Sequence, residues 1–157
     1  MASPKGCTNL KLRRLARTVA RGYDADVRPV GLTEAQYGLL SHVVKLGPIA
    51  PGALAQAMGL DPSTLTRNLR AMVDAGWVAE AAAGDRADRR TRPLVATPAG
   101  VALRAQAQQR WRVSQERINR VLGPERVVAL HALLDECSAL LDAAEHEPAT
   151  PPGADAA

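Results

Sequence analysis

The stretch LAQAMGLDPSTLTRNLRAM, residues 54–72, decides the fold. Its first part has helical composition and stops at Gly59, a residue type that adopts the left-handed backbone with which helices end tightly. Two residues later Asp61 and Pro62 form a helix start. The carboxylate takes an orphan backbone N–H, and the proline ring has a helical φ and no N–H to leave unsatisfied. The spacing predicts a short helix over about 51–58 and a second from Pro62 to about Ala75, closed by Gly76. Ala55 is small where two helices cross, Gly59 sits in the turn four residues on, and Leu65 faces back into the core six after that. This is the helix-turn-helix pattern, although a plain helical hairpin has the same local signs.

The outer side of the second helix separates the two readings. It carries Ser63, Thr64, Thr66, Arg67 and Arg70. A helix docked in the major groove of double-stranded DNA presents its first turns to base edges and phosphates. Arginine grips guanine with two donors, and hydroxyls serve bases or phosphates. Ser63 and Thr64 would also suit an ordinary first turn.

Directly downstream, WVAEAAA (77–83) and LVATPAG (94–100) flank GDRADRRTRP (84–93). The flanks read as strands over Trp77–Ala82 and Pro93–Ala96, so the segment is expected to be a hairpin with a long tip. Four arginines against two aspartates leave that tip basic. A narrow minor groove concentrates negative potential and draws in arginine. Arg86, Arg89, Arg90 and Arg92 cannot all insert. Asp88, two residues before Arg90, can hold its guanidinium, which makes Arg90 the minor-groove candidate and leaves Arg86, Arg89 and Arg92 for phosphates or solvent. Asp85 is assigned to shaping the turn. A helix-turn-helix followed by such a hairpin is the winged-helix layout: mainly α with one small β-hairpin.

Upstream, a helix is expected over Thr8–Asp26, with Leu12, Leu15, Val19 and Tyr23 on one stripe. Lys11, Arg13, Arg14, Arg17 and Arg21 cover much of the rest. Thr33 with Gln36 three residues on is a capping box for a helix carrying Tyr37, Leu40, Val43 and Val44, which stops at Gly47. Downstream, Thr97 and Pro98 open a long helix whose expected buried face is Leu103, Ala107, Trp111, Ser114, Ile118 and Val121. GPE at 123–125 breaks the chain. A last helix carries Leu130, Leu133, Leu134, Cys137, Leu140 and Leu141, with Cys137 assigned to core packing. Two long terminal helices must bury their stripes against something, and a second copy of the chain is the natural candidate.

The 157 residues suit one domain with frayed ends: residues 1–6 loose and a Pro- and Ala-rich tail over 146–157. Hydrophobic residues make up 46% and aromatics 3%, with no Phe, so Leu, Val and Ala must fill the core. The formal charge of +4 is modest and its placement matters more than its size. No apolar run reaches about 20 residues, so no membrane span is expected. The start lacks the apolar core of a secretory signal, and the expected location is the cytoplasm. Cys7 and Cys137 do not make a disulfide framework. His42, His131 and His146 have no metal-ligand spacing, and no cofactor is expected. With no nucleophile–base pair, carboxylate dyad or phosphate loop, an enzyme is not expected.

From GLTEAQYGLLSHV (31–43) through LAQAMGLDPSTLTRNLRAMVDAGWV (54–78) to DRADRRTRPLVATPAG (85–100), the sequence resembles the MarR family of bacterial transcription regulators. The Asp88–Arg90 pair matches the family's Asp-x-Arg wing signature. ATPAG (96–100) matches its LTxxG-like ending, with Ala96 as a mild departure. The flanking helices match in placement and length only, so the resemblance covers about residues 8–145. It implies a homodimer with dimerisation helices over about 8–30 and 98–145, around a winged-helix lobe over 32–97. It also implies a repressor of a pseudo-palindromic operator, released by a small aromatic or phenolic effector held between the dimer helices and the lobe. By position it puts base and phosphate reading on Ser63, Thr64, Thr66 and Arg67 and the minor-groove contact on Arg90. Tyr37 and His42 are the candidates for lining the effector pocket. Some members sense peroxides through a cysteine near the start of the first helix and a tyrosine further along. Cys7, sixteen residues before Tyr23, makes thiol-based sensing the alternative. A winged helix that binds only protein is the remaining one.

Overall fold

The computed structural model describes residues 5–81 and 92–146. The chain runs through α1 (Thr8–Val27), a 3-10 turn (Arg28–Val30), α2 (Glu34–Leu46), α3 (Pro51–Met58), α4 (Pro62–Asp74), β1 (Val78–Glu80), β2 (Leu94–Ala96), α5 (Pro98–Leu122) and α6 (Pro124–His146). The two strands pair antiparallel, Val78 opposite Ala96 and Glu80 opposite Leu94. The expected class, mainly α with one small hairpin, is the observed one.

Local chemistry sets the boundaries. Thr33 Oγ1 accepts the Gln36 N–H and Gln36 Oε1 accepts the Thr33 N–H at 2.9 Å, the reciprocal capping box at the start of α2. The α3 and α4 helices end alike, on Gly59 at φ 59° and Gly76 at φ 72°. In each case two backbone bonds reach back over the glycine. They run from Leu60 to Ala55 and Gly59 to Gln56 in the first, and from Trp77 to Met72 and Gly76 to Val73 in the second. That is a Schellman closure, and it needs the left-handed conformation in which glycine alone pays no Cβ penalty.

The core lies around the helix-turn-helix. Leu32, Leu39, Leu40, Val43, Leu54, Leu65, Met72 and Val78 are all almost wholly buried in one cluster. Fully burying a side chain of this size contributes about 1.5–3 kcal/mol, so Leu65, Leu69 and Met72 anchor the inner face of α4 firmly.

Two departures from the expected elements have plain causes. The ladder begins at Val78 rather than Trp77, because the Trp77 N–H is used to close α4 on the Met72 carbonyl. Ile49 exchanges two backbone bonds with Leu94, at 2.8 and 3.1 Å, so the loop between α2 and α3 adds an isolated bridge to the hairpin.

The hairpin, α4 and α5 meet at one joint. The Thr97 N–H bonds to the Trp77 carbonyl at 3.0 Å, and Thr97 Oγ1 donates to the Gly76 carbonyl at 2.7 Å and accepts the Gly100 N–H at 3.1 Å. Thr97 therefore caps α5 while bonding to the turn that ends α4. Gly100 sits so close that a Cβ on it would lie 2.0 Å from the Trp77 carbonyl oxygen.

The chain forms two compact units, one up to Gln115 and one from Glu116. In the first, Asp26 on α1 accepts a hydrogen bond from the fully buried Ser114 on α5. Asp24 Oδ1 accepts the Glu34 N–H at 2.7 Å and ties the end of α1 to the first turn of α2. In the second, much of the expected buried faces is open, although Ile118 and Leu130 are half-buried. Val121 is 76% exposed, Leu133, Leu134, Leu140 and Leu141 are exposed, and so is Cys137, which is therefore not a core residue of the single chain. No described part of the chain covers that face of α6. The tail proper, 147–157, lies outside the described residues.

Gly100→Ala is expected to cost about 3 kcal/mol by overpacking against backbone, whereas Gly52→Ala, which meets nothing within 4 Å in α3, is expected to be neutral or stabilising. Denaturant unfolding of both variants measures this, and equal effects would contradict the joint. Glu34 gives a pH test. Burial, and then the charge of Asp24, push its carboxyl above the ordinary range. A raised folded value contributes stability with the carboxyl protonated, below 4.5, and that contribution is lost as pH rises through the raised value. The stability of the wild type relative to Glu34→Gln is thus expected to fall as pH rises above 4.5. A constant difference would refute the assignment.

Candidate nucleic-acid interface

α4 has one locked face and one open face. Leu65, Leu69 and Met72 hold the inner side in the core, so the helix cannot roll. Ser63, Thr66, Arg67 and Arg70, at three- and four-residue spacing, share the exposed side. Four of the five residues expected to read DNA from this helix are thus brought onto one accessible surface, and Thr64 lies half-buried beside them.

Sequence reasoning took Asp61 as a cap only. Its Oδ1 does accept the Ser63 N–H, at 3.2 Å. The same carboxylate also takes the Ser63 hydroxyl at 2.8 Å and the Thr64 hydroxyl at 3.2 Å. These bonds, the Ser63 side chain first, hold the Asp61 carboxyl below the ordinary range. Thr66 Oγ1 donates to the Pro62 carbonyl at 2.7 Å. All three hydroxyl protons are therefore used inside the protein, which leaves the oxygens of the exposed Ser63 and Thr66 as acceptors. Such a surface suits the amino groups of adenine or cytosine, with Arg67 and Arg70 suited to guanine or phosphate. The signal was present in the sequence as D-P-S-T, but a carboxylate that both caps and orients is visible only with the geometry.

At the base of the hairpin Arg92 Nη1 lies 3.0 Å from Glu80 Oε2, both side chains well exposed. Arg92, expected to meet phosphate or solvent, is thus paired across the hairpin. An exposed pair of this kind is worth little, about 1 kcal/mol or less. Arg86, Asp88, Arg89 and Arg90 lie outside the described residues.

The two effector-pocket candidates are not brought together. Tyr37 and His42 are five residues apart on α2 and so point about 140° apart. Tyr37 is buried, with its ring centroid 6.3 Å from that of Trp111, and Trp111 in turn lies 6.0 Å from Tyr23. Tyr23 Oη donates to Gln115 Oε1 at 2.6 Å. Three rings from α1, α2 and α5 thus make one packed aromatic cluster, which sequence spacing did not reveal. His42 instead bonds through Nδ1 to the Gly38 carbonyl of its own helix at 2.8 Å. Cys7 is exposed at the residue preceding α1. Sixteen residues of helix put it about 24 Å from Tyr23, too far for the two to meet within one chain.

The helix-turn-helix region matches the family model described as MarR family over residues 30–90. Comparison with curated protein sequences gives no match. Among solved structures, the M. tuberculosis transcriptional regulator MosR, in complex with DNA, is 31% identical, covering 86% of this chain and 98% of its own, with a TM-score of 0.71. The transcriptional repressor CouR bound to p-coumaroyl-CoA shares 21% identity over 84% of this chain and 91% of its own, at a TM-score of 0.75. Wild-type E. coli MarR in its apo form shares 22% over 85% and 98%, at 0.67. With its open recognition helix, its two-stranded wing and a 31% identical relative along most of its length, the chain belongs to the MarR family of DNA-binding transcription regulators.

Proposed function

We propose that the protein is a cytoplasmic, homodimeric repressor that reads a pseudo-palindromic operator and is released by a small aromatic ligand. The observation that carries the proposal is the open face of α4. Ser63, Thr66, Arg67 and Arg70 stand exposed on a helix whose other side is locked in the core. Thr64 joins them at the first turn, and Arg90, with Asp88 and Arg86 beside it in sequence, is the proposed minor-groove contact. Among the described residues no helix is long and apolar enough to cross a membrane.

Uncovered apolar faces support the dimer. Leu10, Leu12 and Leu15 on α1 and Leu133, Leu134, Leu140 and Leu141 on α6 are exposed in the single chain. An apolar surface of this extent marks an interaction site. The terminal helices, about 8–30 and 98–145, are accordingly assigned to dimerisation and 32–97 to the DNA-binding lobe. For the ligand, the Tyr23–Trp111–Tyr37 cluster, in which Trp111 alone is partly exposed, is the proposed wall of an aromatic-binding site, and CouR, of the same fold, holds p-coumaroyl-CoA. Tyr37, rather than the oppositely turned His42, carries this assignment.

Arg67→Ala and Arg90→Ala are each expected to weaken binding to a duplex selected by the wild-type protein from a random pool, by about 1–3 kcal/mol. Titration at several salt concentrations measures this. Unchanged affinity and salt slope in both variants would overturn the reading.

A further inference from the structure

We propose that the outer face of α1 is an additional surface for the DNA phosphate backbone, formed by Arg13, Arg14, Arg17 and Arg21. The inference rests on the DNA-binding reading above and extends it to a face outside the helix-turn-helix and the wing.

All four arginines are exposed. At about 100° per residue they fall within one arc of about 100°, roughly opposite the stripe of Leu12, Leu15, Val19, Tyr23 and Val27. Arg13, Arg17 and Arg21 follow each other at steps of about 6 Å along the axis. With Lys11 they place five positive charges on Thr8–Tyr23, more than the formal +4 of the whole chain. There is no Asp or Glu from Lys5 to Tyr23. Among the described residues none of the four meets a carboxylate, and Arg21 only reaches Thr18 Oγ1, at 3.3 Å.

This arrangement works against the helix that carries it. Like charges four residues apart repel, and cations near a helix N-terminus oppose its dipole. An ordinary solvated face would interleave glutamates. A strip of unpaired guanidinium groups instead fits a regular row of anions, for which arginine supplies paired donors.

Two other polyanionic partners fit less well. α6 carries acids as well: Asp135 and Asp142 on the side away from its apolar stripe, Glu136 and Glu145 at the stripe's edges. Helices of two copies meeting through their apolar stripes would bring only the edge glutamates toward α1, and the α1 arginines lie on the opposite side from its stripe. A bilayer surface would need the apolar stripe of α1 for insertion, yet that stripe ends in Tyr23 and Val27, which are buried in the lobe. Duplex DNA needs only the charged side.

The test is the triple variant Arg13→Ala, Arg17→Ala, Arg21→Ala, bound to a random-sequence duplex across a salt series beside the wild type. Each phosphate contact contributes about 0.9 to the slope of log affinity against log salt. The variant is expected to have a slope shallower by about 2–3 per protomer and to melt at a higher temperature than wild type, as relief of like charge requires. A salt-steep wild type with an identical variant slope would overturn the strip and leave α4 and the wing standing. A wild type that binds no duplex would overturn both readings. An unchanged slope with a variant that falls to monomer mass, or loses binding to anionic phospholipid vesicles, would assign the strip to those partners instead and also refute the proposal.

Discussion

The Trp77 carbonyl is the point on which the DNA-binding unit depends. It accepts the Thr97 N–H and lies where any side chain on residue 100 would have to go. Through it three elements are fixed together: the end of the recognition helix by the turn at Gly76, the first strand of the wing, and the first turn of α5. A two-stranded hairpin alone is marginal in water. Here the pair is held at its base by Thr97, on its edge by Ile49, and beneath by the burial of Val78 and Leu94. The base of the hairpin inherits a fixed direction relative to α4, as the proposed contact with two grooves requires. The same α5 carries Trp111, so the aromatic cluster and the wing joint are joined by continuous helix.

Much of this was legible in the sequence wherever one or two residues carry a local rule. Thr33 with Gln36, Gly59, Asp61 with Pro62, and Thr97 with Pro98 each set a helix end by chemistry within a few residues, and the structure places the ends there. The inner face of α4 followed from periodicity. What stayed hidden depends on residues far apart in the chain. The Ile49–Leu94 bridge, the fit of Gly100 under Trp77, the Ser114–Asp26 bond and the Tyr23–Trp111–Tyr37 cluster have no local signature. The double use of Asp61 was hidden for another reason: a cap and a cap that also orients two hydroxyls look alike in sequence. Cys137 and Val121 show the limit of periodicity, which identifies an apolar stripe but not whether it is covered by the same chain.

Charge is distributed with the same economy. The α4 helix presents hydroxyls and two arginines, the wing segment is basic in sequence, and α1 carries a further basic face whose arginines meet no carboxylate among the described residues. Against this, Leu10, Leu12 and Leu15 at the start of α1 and Leu133, Leu134, Leu140 and Leu141 on α6 are uncovered in the single chain. On the proposed reading, one face meets a polyanion and another meets a second copy of the chain, so binding is strongest where two α4 helices meet successive turns of one face of the duplex.

Hydroxyl-radical footprinting on a duplex selected by the protein tests that account most directly. Two protected patches on one face of the DNA, about 10 base pairs apart centre to centre, are predicted for paired recognition helices. A single protected patch, or protection without a repeat of a helical turn, would contradict it.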